Sequence, residues 1–529
     1  LRGIREAKPY SDYDNLSNAG IMRSIEDYAM GINFSRALSV KYAGMINKEA
    51  GTKKYSAISV GRVMTCVLGM VVKREREIRN FKETFFYRVT GSFRSGDIIY
   101  KGEWKAVEGS KYYQSPLLYS EKGFKEEKDA LILIDELKNA GDAKITALNK
   151  GTEKKKPPLL FNLAELQAEC SKRFKISPDE TLKSAQELYE KKLLTYPRTD
   201  ARVLSTAVAK VIANNLKGLM NYTPTAAFTK NILDNSLFKG IEKSQYTNDK
   251  KVTDHYAIIP TGNLNELSGQ SDLNKKVYDL VVRRFLSIFY PPAEFTKLSI
   301  VTGVGVESFF TNAKVLKSPG YFVITGQDKV KEKSAKDKEK KAEDEEGEGD
   351  DDEIVNDPKA LMDLSENVKK GDAVDIVDFN TKNGKTSPPK RYTSGSMVLA
   401  MENAGQLIED EELRSQITGS GIGTSATRAG IIEKLIKIGY LALNKKTQIL
   451  TPKTFGEMVY EVVRLTIPSM LNPEMTASWE KGLSQVETGK ITPEYYKETL
   501  NKYVTKYVES IRNNNLSANI RRNIDFLKS

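Results

Sequence analysis

Lys191-Lys192-Leu193-Leu194-Thr195-Tyr196-Pro197-Arg198-Thr199-Asp200 decides how the chain is read. It sets a phenol against a proline, with a guanidinium two residues on and a carboxylate four on. A phenol is a weak nucleophile at neutral pH until its surroundings help remove the proton. The fork of donors on Arg198 suits a phosphate oxygen. Pro197 biases Tyr196 toward extended backbone, which restricts where its hydroxyl points. The pattern is that of a tyrosine placed to attack a phosphodiester. With 25 tyrosines in the chain, most are packing or surface residues, so Tyr196 stands out only through its neighbours.

The whole run, preceded by the amphipathic segment Thr181–Lys192, resembles the active-site segment of type IA DNA topoisomerases, in particular the topoisomerase III branch. Four other stretches resemble the same family in the same order. Ser59-Val60-Gly61-Arg62-Val63-Met64-Thr65-Cys66 is similar to a segment that lines the family's single-strand groove, with Met64 in place of Gln and Cys66 in place of Pro. Gly61 would permit close approach and Arg62 a phosphate contact; a buried helix carrying one arginine is the other reading. Asp254-His255-Tyr256-Ala257-Ile258-Ile259-Pro260-Thr261 holds the chain's one histidine. The resemblance places His255 near the active site, where an imidazole would donate to the scissile phosphate or move a proton. In Ser387-Pro388-Pro389-Lys390-Arg391-Tyr392-Thr393, Lys390 and Arg391 read either as phosphate contacts or as a hinge. Gly421-Ile422-Gly423-Thr424-Ser425-Ala426-Thr427-Arg428 approaches a helix whose cap reads as Thr424 or Ser425. Thr424 and Arg428 are phosphate candidates there. No Lys-Ser/Thr ending follows, so it is not a nucleotide-hydrolysing loop. Asn472–Glu480 reads as a structural helix anchored by Trp479.

Composition sets the outer bounds. At 529 residues several cores are expected. The charge is +12, and setting aside the nine acids of residues 342–353 leaves +21, which fits a polyanionic partner. Two cysteines exclude a disulfide framework and a four-cysteine zinc site. No apolar run is long enough to span a bilayer and no secretory signal opens the sequence. A cytoplasmic, nucleoid-associated protein is the expectation.

Periodicity alternates between helix and strand. Residues 1–82 read as helical (Ser24–Lys41, Val60–Phe81), with strands at Thr84–Phe93 and Asp97–Trp104. Basic residues 150–156 and Pro157-Pro158 read as a break. Helices return at Leu163–Phe174, Thr181–Lys192 and Lys275–Phe289, and strands at Lys297–Phe310, Tyr321–Thr325 and Ala373–Phe379. Residues 329–353 read as a disordered insertion. From Ser396 to about Arg512 the chain is helical, with a polar tail.

The expected fold is therefore mixed α and β and multidomain. The resemblance implies a toroidal core: a helical base (1–82 and 386–513), a β-rich arch (83–156 and 294–385), a helical cap (157–293) bearing Tyr196 and His255, and a tail (514–529). It implies a DNA topoisomerase core that cuts and reseals single-stranded DNA through a 5′-phosphotyrosine without ATP. The family's magnesium is held by an N-terminal TOPRIM domain. No such set is found here, because the sequence opens in mid-pattern at Leu1 and no residues read as a metal site. The expectation is thus a fragment that binds single strands but relaxes DNA feebly without that domain. A non-catalytic single-stranded DNA clamp is the alternative. A helicase or a single-strand-binding protein would be the natural protein partner.

Overall fold

The computed structural model describes the backbone of residues 7, 9–52, 54–252, 254–327, 357–417 and 421–528. The expected insertion at 329–353 lies outside the described residues.

Eight strands form one sheet: β1 (Phe85–Ser95), β2 (Ile98–Lys105), β3 (Leu118–Ser120), β4 (Gly123–Phe124), β5 (Ala143–Lys155), β6 (Ala293–Val304), β7 (Glu307–Ser318) and β8 (Ala373–Lys385). They lie in the order β2-β7-β6-β5-β8-β1-β4-β3, and β1 pairs again with β2, so six strands close on themselves. Closure removes open edges. The interior is aromatic: Phe93 meets Phe309 edge-on at 5.3 Å, and Trp104 stacks on Phe124 at 5.0 Å. Burying each such ring stabilises by roughly 2–3 kcal/mol. Trp104 also donates to buried Glu307 at 2.6 Å, while Ser110 and the Lys111 amide donate to the same carboxylate.

Three large apolar cores are present among the described residues. One gathers residues from Met30 to Val72 and from Met397 to Ile520, with Ala164 reaching in from the cap. The second runs from Leu160 to Ile324, and the third from Val89 to Phe379. The first and last helical blocks therefore pack as one base. The helices Leu163–Phe174 and Ser394–Glu402 join cap to base, and Gly395 sits against Ala168 and Ser171 where a side chain would not fit.

Several local expectations are corrected. The helix expected from Val60 starts at Arg62, because Ile58 and Val60 run extended and bond to Ser39 and Ser35 hydroxyls. Residues 150–155 continue β5 instead of breaking it, paired one to one with β6; ladder context overrides their lysine content. Phe322–Thr325 is a helical turn, not a strand, entered through Gly320 at φ +49°. Two helices in the arch, Glu127–Ala140 and Pro358–Asn367, have amphipathic patterns that the sequence reading passed over. A short hairpin, Leu441–Leu443 with Leu450–Pro452, interrupts the last helical block. The polar tail forms the helix Ser517–Lys528, with Ile520 buried in the base core.

Candidate active site

The tyrosine run owes its position to the helix before it. Pro178–Glu190 begins with a reciprocal cap between Ser177 and Glu180. It ends where Lys192 takes φ +57° and the Leu193 amide reaches back to the Leu188 carbonyl at 2.9 Å. That is the Schellman closure, with lysine in the place glycine usually occupies. A side chain in this conformation costs about 1 kcal/mol, and it stands at the edge of the site.

The chain leaves this turn extended and lies against residues 257–261. The Thr195 amide donates to the Ile259 carbonyl at 3.0 Å, and the Thr261 amide to the Leu193 carbonyl at 3.0 Å. The Thr195 hydroxyl donates to the Ala257 carbonyl and accepts from the Ile259 amide. Thr199 donates its hydroxyl to the His255 carbonyl at 2.8 Å. Two threonines thus lock together runs that lie about sixty residues apart in sequence.

The result sets His255 beside Tyr196, ring centroids 4.4 Å apart and planes tilted by 46°. Tyr189 meets Tyr196 edge-on at 5.3 Å. Tyr196 is half-buried, and His255 is exposed. A cavity of about 340 Å3 opens here, lined also by Lys192, Leu194, Thr195, Tyr256 and Thr261. Its wall carries one lysine and no carboxylate, so an anion is the charge it favours. Burial raises the Tyr256 phenol above its ordinary value. Arg198 lies on a three-residue turn closed by the Thr199 amide and the Pro197 carbonyl, and its side chain is exposed.

The other candidates are placed differently. Arg428 is fully buried; it reaches Asp200 at 3.2 Å and Glu402 at 3.9 Å. Asn162 donates to Glu402 at 2.6 Å and to the Asp200 carbonyl. The last residue of the Gly-x-Gly-Thr motif therefore grips the last residue of the tyrosine run. Burial raises the Glu402 carboxyl, and Arg428 and Asn162 pull against that rise. Thr424 is exposed, but the cap of the following helix is Thr427 rather than Thr424 or Ser425; the Thr424 amide donates to the Thr427 hydroxyl.

Arg62 is buried too, paired with Glu26 and Asp27 at 3.1 Å and with Glu480 at 2.8 Å. Met64 and Cys66 beside it are core residues, and burial pushes the Cys66 thiol up to about 12. Arg391 holds Glu75 through two nitrogens, whereas Lys390 is exposed. Trp479 packs edge-on against Tyr496 and Tyr503, as expected of an anchor.

Tyr189, Lys192, Thr195, Thr199 and Thr261 escaped the sequence reading. Tyr189 is accessible to it, standing seven residues before Tyr196 on the last turn of the preceding helix. The lysine turn carries no sequence signal. Among the described residues no three His, Cys, Asp or Glu side chains gather as a metal-binding group. The residues around Tyr196, which include no carboxylate, do not fit magnesium.

Comparison with known proteins shows the family and the fold. A family model described as DNA topoisomerase matches residues 11–498. DNA topoisomerase 3 of Bacillus licheniformis is 30% identical over 519 residues, covering 97% of this chain and 63% of that protein. DNA topoisomerase 3 of Bacillus subtilis shows the same identity and coverage. The chain thus spans a little under two thirds of the length of these curated relatives. Full-length topoisomerase I from Thermotoga maritima has the same fold, with a TM-score of 0.61 at 21% identity over 93% of this chain and 68% of that one.

Proposed function

This chain belongs to the type IA DNA topoisomerase family, and from that premise we propose that it cuts and reseals single-stranded DNA through Tyr196. The observation that carries the reading is the tyrosine in ring contact with both Tyr189 and His255 on the wall of a cavity without carboxylates.

In this reading Arg198 and Lys192 draw a backbone phosphate to the cavity. The Tyr196 hydroxyl oxygen attacks phosphorus and loses its proton. A 5′-phosphotyrosine bond forms as the bond to the 3′ oxygen breaks, and that oxygen leaves as a hydroxyl after taking up a proton. His255 donates to a phosphoryl oxygen, where negative charge grows in the transition state. Reversal reseals the strand after another has passed through the gap. One phosphodiester is exchanged for another, so no ATP is consumed. Magnesium, expected from the family, would come from groups other than those around Tyr196. A helicase or single-strand-binding protein that exposes single strands would supply substrate.

The phosphate-contact roles of Arg62 and Arg428 belong to the same proposal, and each needs its present ion pairs to loosen. Lys390 and Thr424, both exposed, need no such change.

Incubation with an end-labelled single-stranded oligonucleotide, quenched in denaturant, tests the reading. A denaturant-stable adduct lost in Tyr196→Phe supports cleavage. Oligonucleotide binding with no adduct, with or without an added TOPRIM domain and magnesium, favours a clamp.

A further inference from the structure

A larger cavity, about 830 Å3, lies where β5 runs through Pro157 and Pro158 into the cap. The end of β5, the helices Leu163–Phe174 and Asp272–Ser287, and the turn Phe322–Thr325 contribute to it. Its wall carries seven cations and two acids. Both acids are already engaged: Glu169 pairs with Arg173, and Asp279 with Arg283 at 2.7 Å. Lys155, Lys156, Lys172, Lys276 and Arg284 are left facing one cleft with no carboxylate in ion-pair range among the described residues.

Arg284 is the most telling of these. Its guanidinium lies 3.9 Å over the Phe161 ring and donates to the Leu159 carbonyl at 2.9 Å. Burial lowers it to about 10, and Glu169 and Glu165 act on it only from a distance. A half-buried cation held by an aromatic face and one carbonyl is under-compensated, and an incoming anion would repair that deficit. Phe174 and Tyr321 line the same wall, which joins aromatic surface to positive charge.

We propose that this cleft is a phosphate-binding surface that holds the backbone of a nucleic-acid strand away from Tyr196. The cations come from a strand end and two helices that line one cleft. A cleft of this size with cations from three elements suits successive phosphates of a strand better than a single small anion. Lys155 and Lys156, at the end of the basic stretch that reads as a break in the sequence, line it. The inference rests on the nucleic-acid reading above.

The test is the salt dependence of single-stranded oligonucleotide binding to the full chain, followed by fluorescence anisotropy. Lys172→Glu with Lys276→Glu reverses two exposed charges in the cleft. Lys128→Glu with Lys138→Glu makes the same charge change on the arch helix Glu127–Ala140. The cleft pair raises Kd roughly fivefold to tenfold at low salt and flattens the slope of log Kd against log salt by about 1.4, as expected for two lost phosphates. The arch pair changes Kd less than about twofold, the residue of a long-range charge effect. Equal effects from the two pairs, or none from either, overturn the proposal. Inorganic pyrophosphate provides the other arm. If the cleft pair abolishes pyrophosphate binding and leaves DNA binding intact, the ligand is a free phosphate and the strand assignment falls. Covalent capture at Tyr196 reads the proposed function separately. Absence of adduct alongside an intact cleft effect overturns cleavage while supporting this inference.

Discussion

The rings of Tyr196 and His255 lie 4.4 Å apart at a 46° tilt, joined through threonine hydroxyls that tie their two chain segments together. The contact places the only imidazole of the chain within reach of any phosphate that Tyr196 attacks. Replacing His255 with Ala lowers the rate of adduct formation on the order of a hundredfold, the low end of what one positioned proton-transfer group contributes. Single-turnover cleavage at saturating oligonucleotide checks this, and an unchanged rate assigns His255 to packing alone.

Arg198 is exposed on its own turn, where its fork can meet phosphate without breaking an ion pair. Arg198→Lys keeps the charge but loses bidentate geometry. We expect weaker cleavage, by roughly 2 kcal/mol of lost charge-assisted bonding, with Tm unchanged. Comparing cleavage rates with thermal unfolding separates the two effects.

Arg428 joins Asp200 of the cap to Glu402 of the base from a fully buried position. Arg428→Met preserves bulk but leaves those carboxylates without their cation. A loss of about 1–3 kcal/mol in stability is expected, because Glu402 loses its cation while Asp200 stays open to solvent. Denaturant unfolding measures it, and earlier proteolysis between cap and base is the local sign.

Glu26 provides a pH dependence. Burial raises its carboxyl to about 7, against the pull of Arg62 and Tyr496. Below about 4.5 both folded and unfolded chains hold this proton, so it makes no difference there. As pH rises from about 4.5 to 7, the unfolded chain gives up the proton before the folded one. Stability therefore falls through that window, by on the order of 3 kcal/mol, and is level above it. Glu26→Gln removes this slope. Denaturant midpoints measured from pH 4.5 to 8 check it, and an identical slope in the variant refutes the assignment.

What was legible in the sequence follows from what is local. Tyr196 and His255 sit in strings specific enough to be placed together before any coordinates. Alternating helix and strand periods permitted a nested order of helical and β-rich blocks, and the family resemblance selected base, arch and cap from it. The surroundings of Arg62 and Arg428 were not legible, because the acids that neutralise them come from far along the chain. Glu480 lies 418 residues after Arg62, and Asp200 lies 228 residues before Arg428. An arginine motif reads the same whether its partner is a phosphate or a folded-in carboxylate. The lysines of β5 misled for a related reason: their strand is defined by pairing with β6, which composition does not report.

The central claim is that Tyr196 becomes covalently joined to DNA. Its most direct test is mass spectrometry of the adduct formed on single-stranded DNA with magnesium, alone and with a TOPRIM domain supplied in trans, after digestion of protein and nucleic acid. The account predicts a 5′-linked nucleotide on Tyr196 in at least one of these conditions. A nucleotide on any other residue, or no linked nucleotide in either condition while the DNA remains bound, would contradict it.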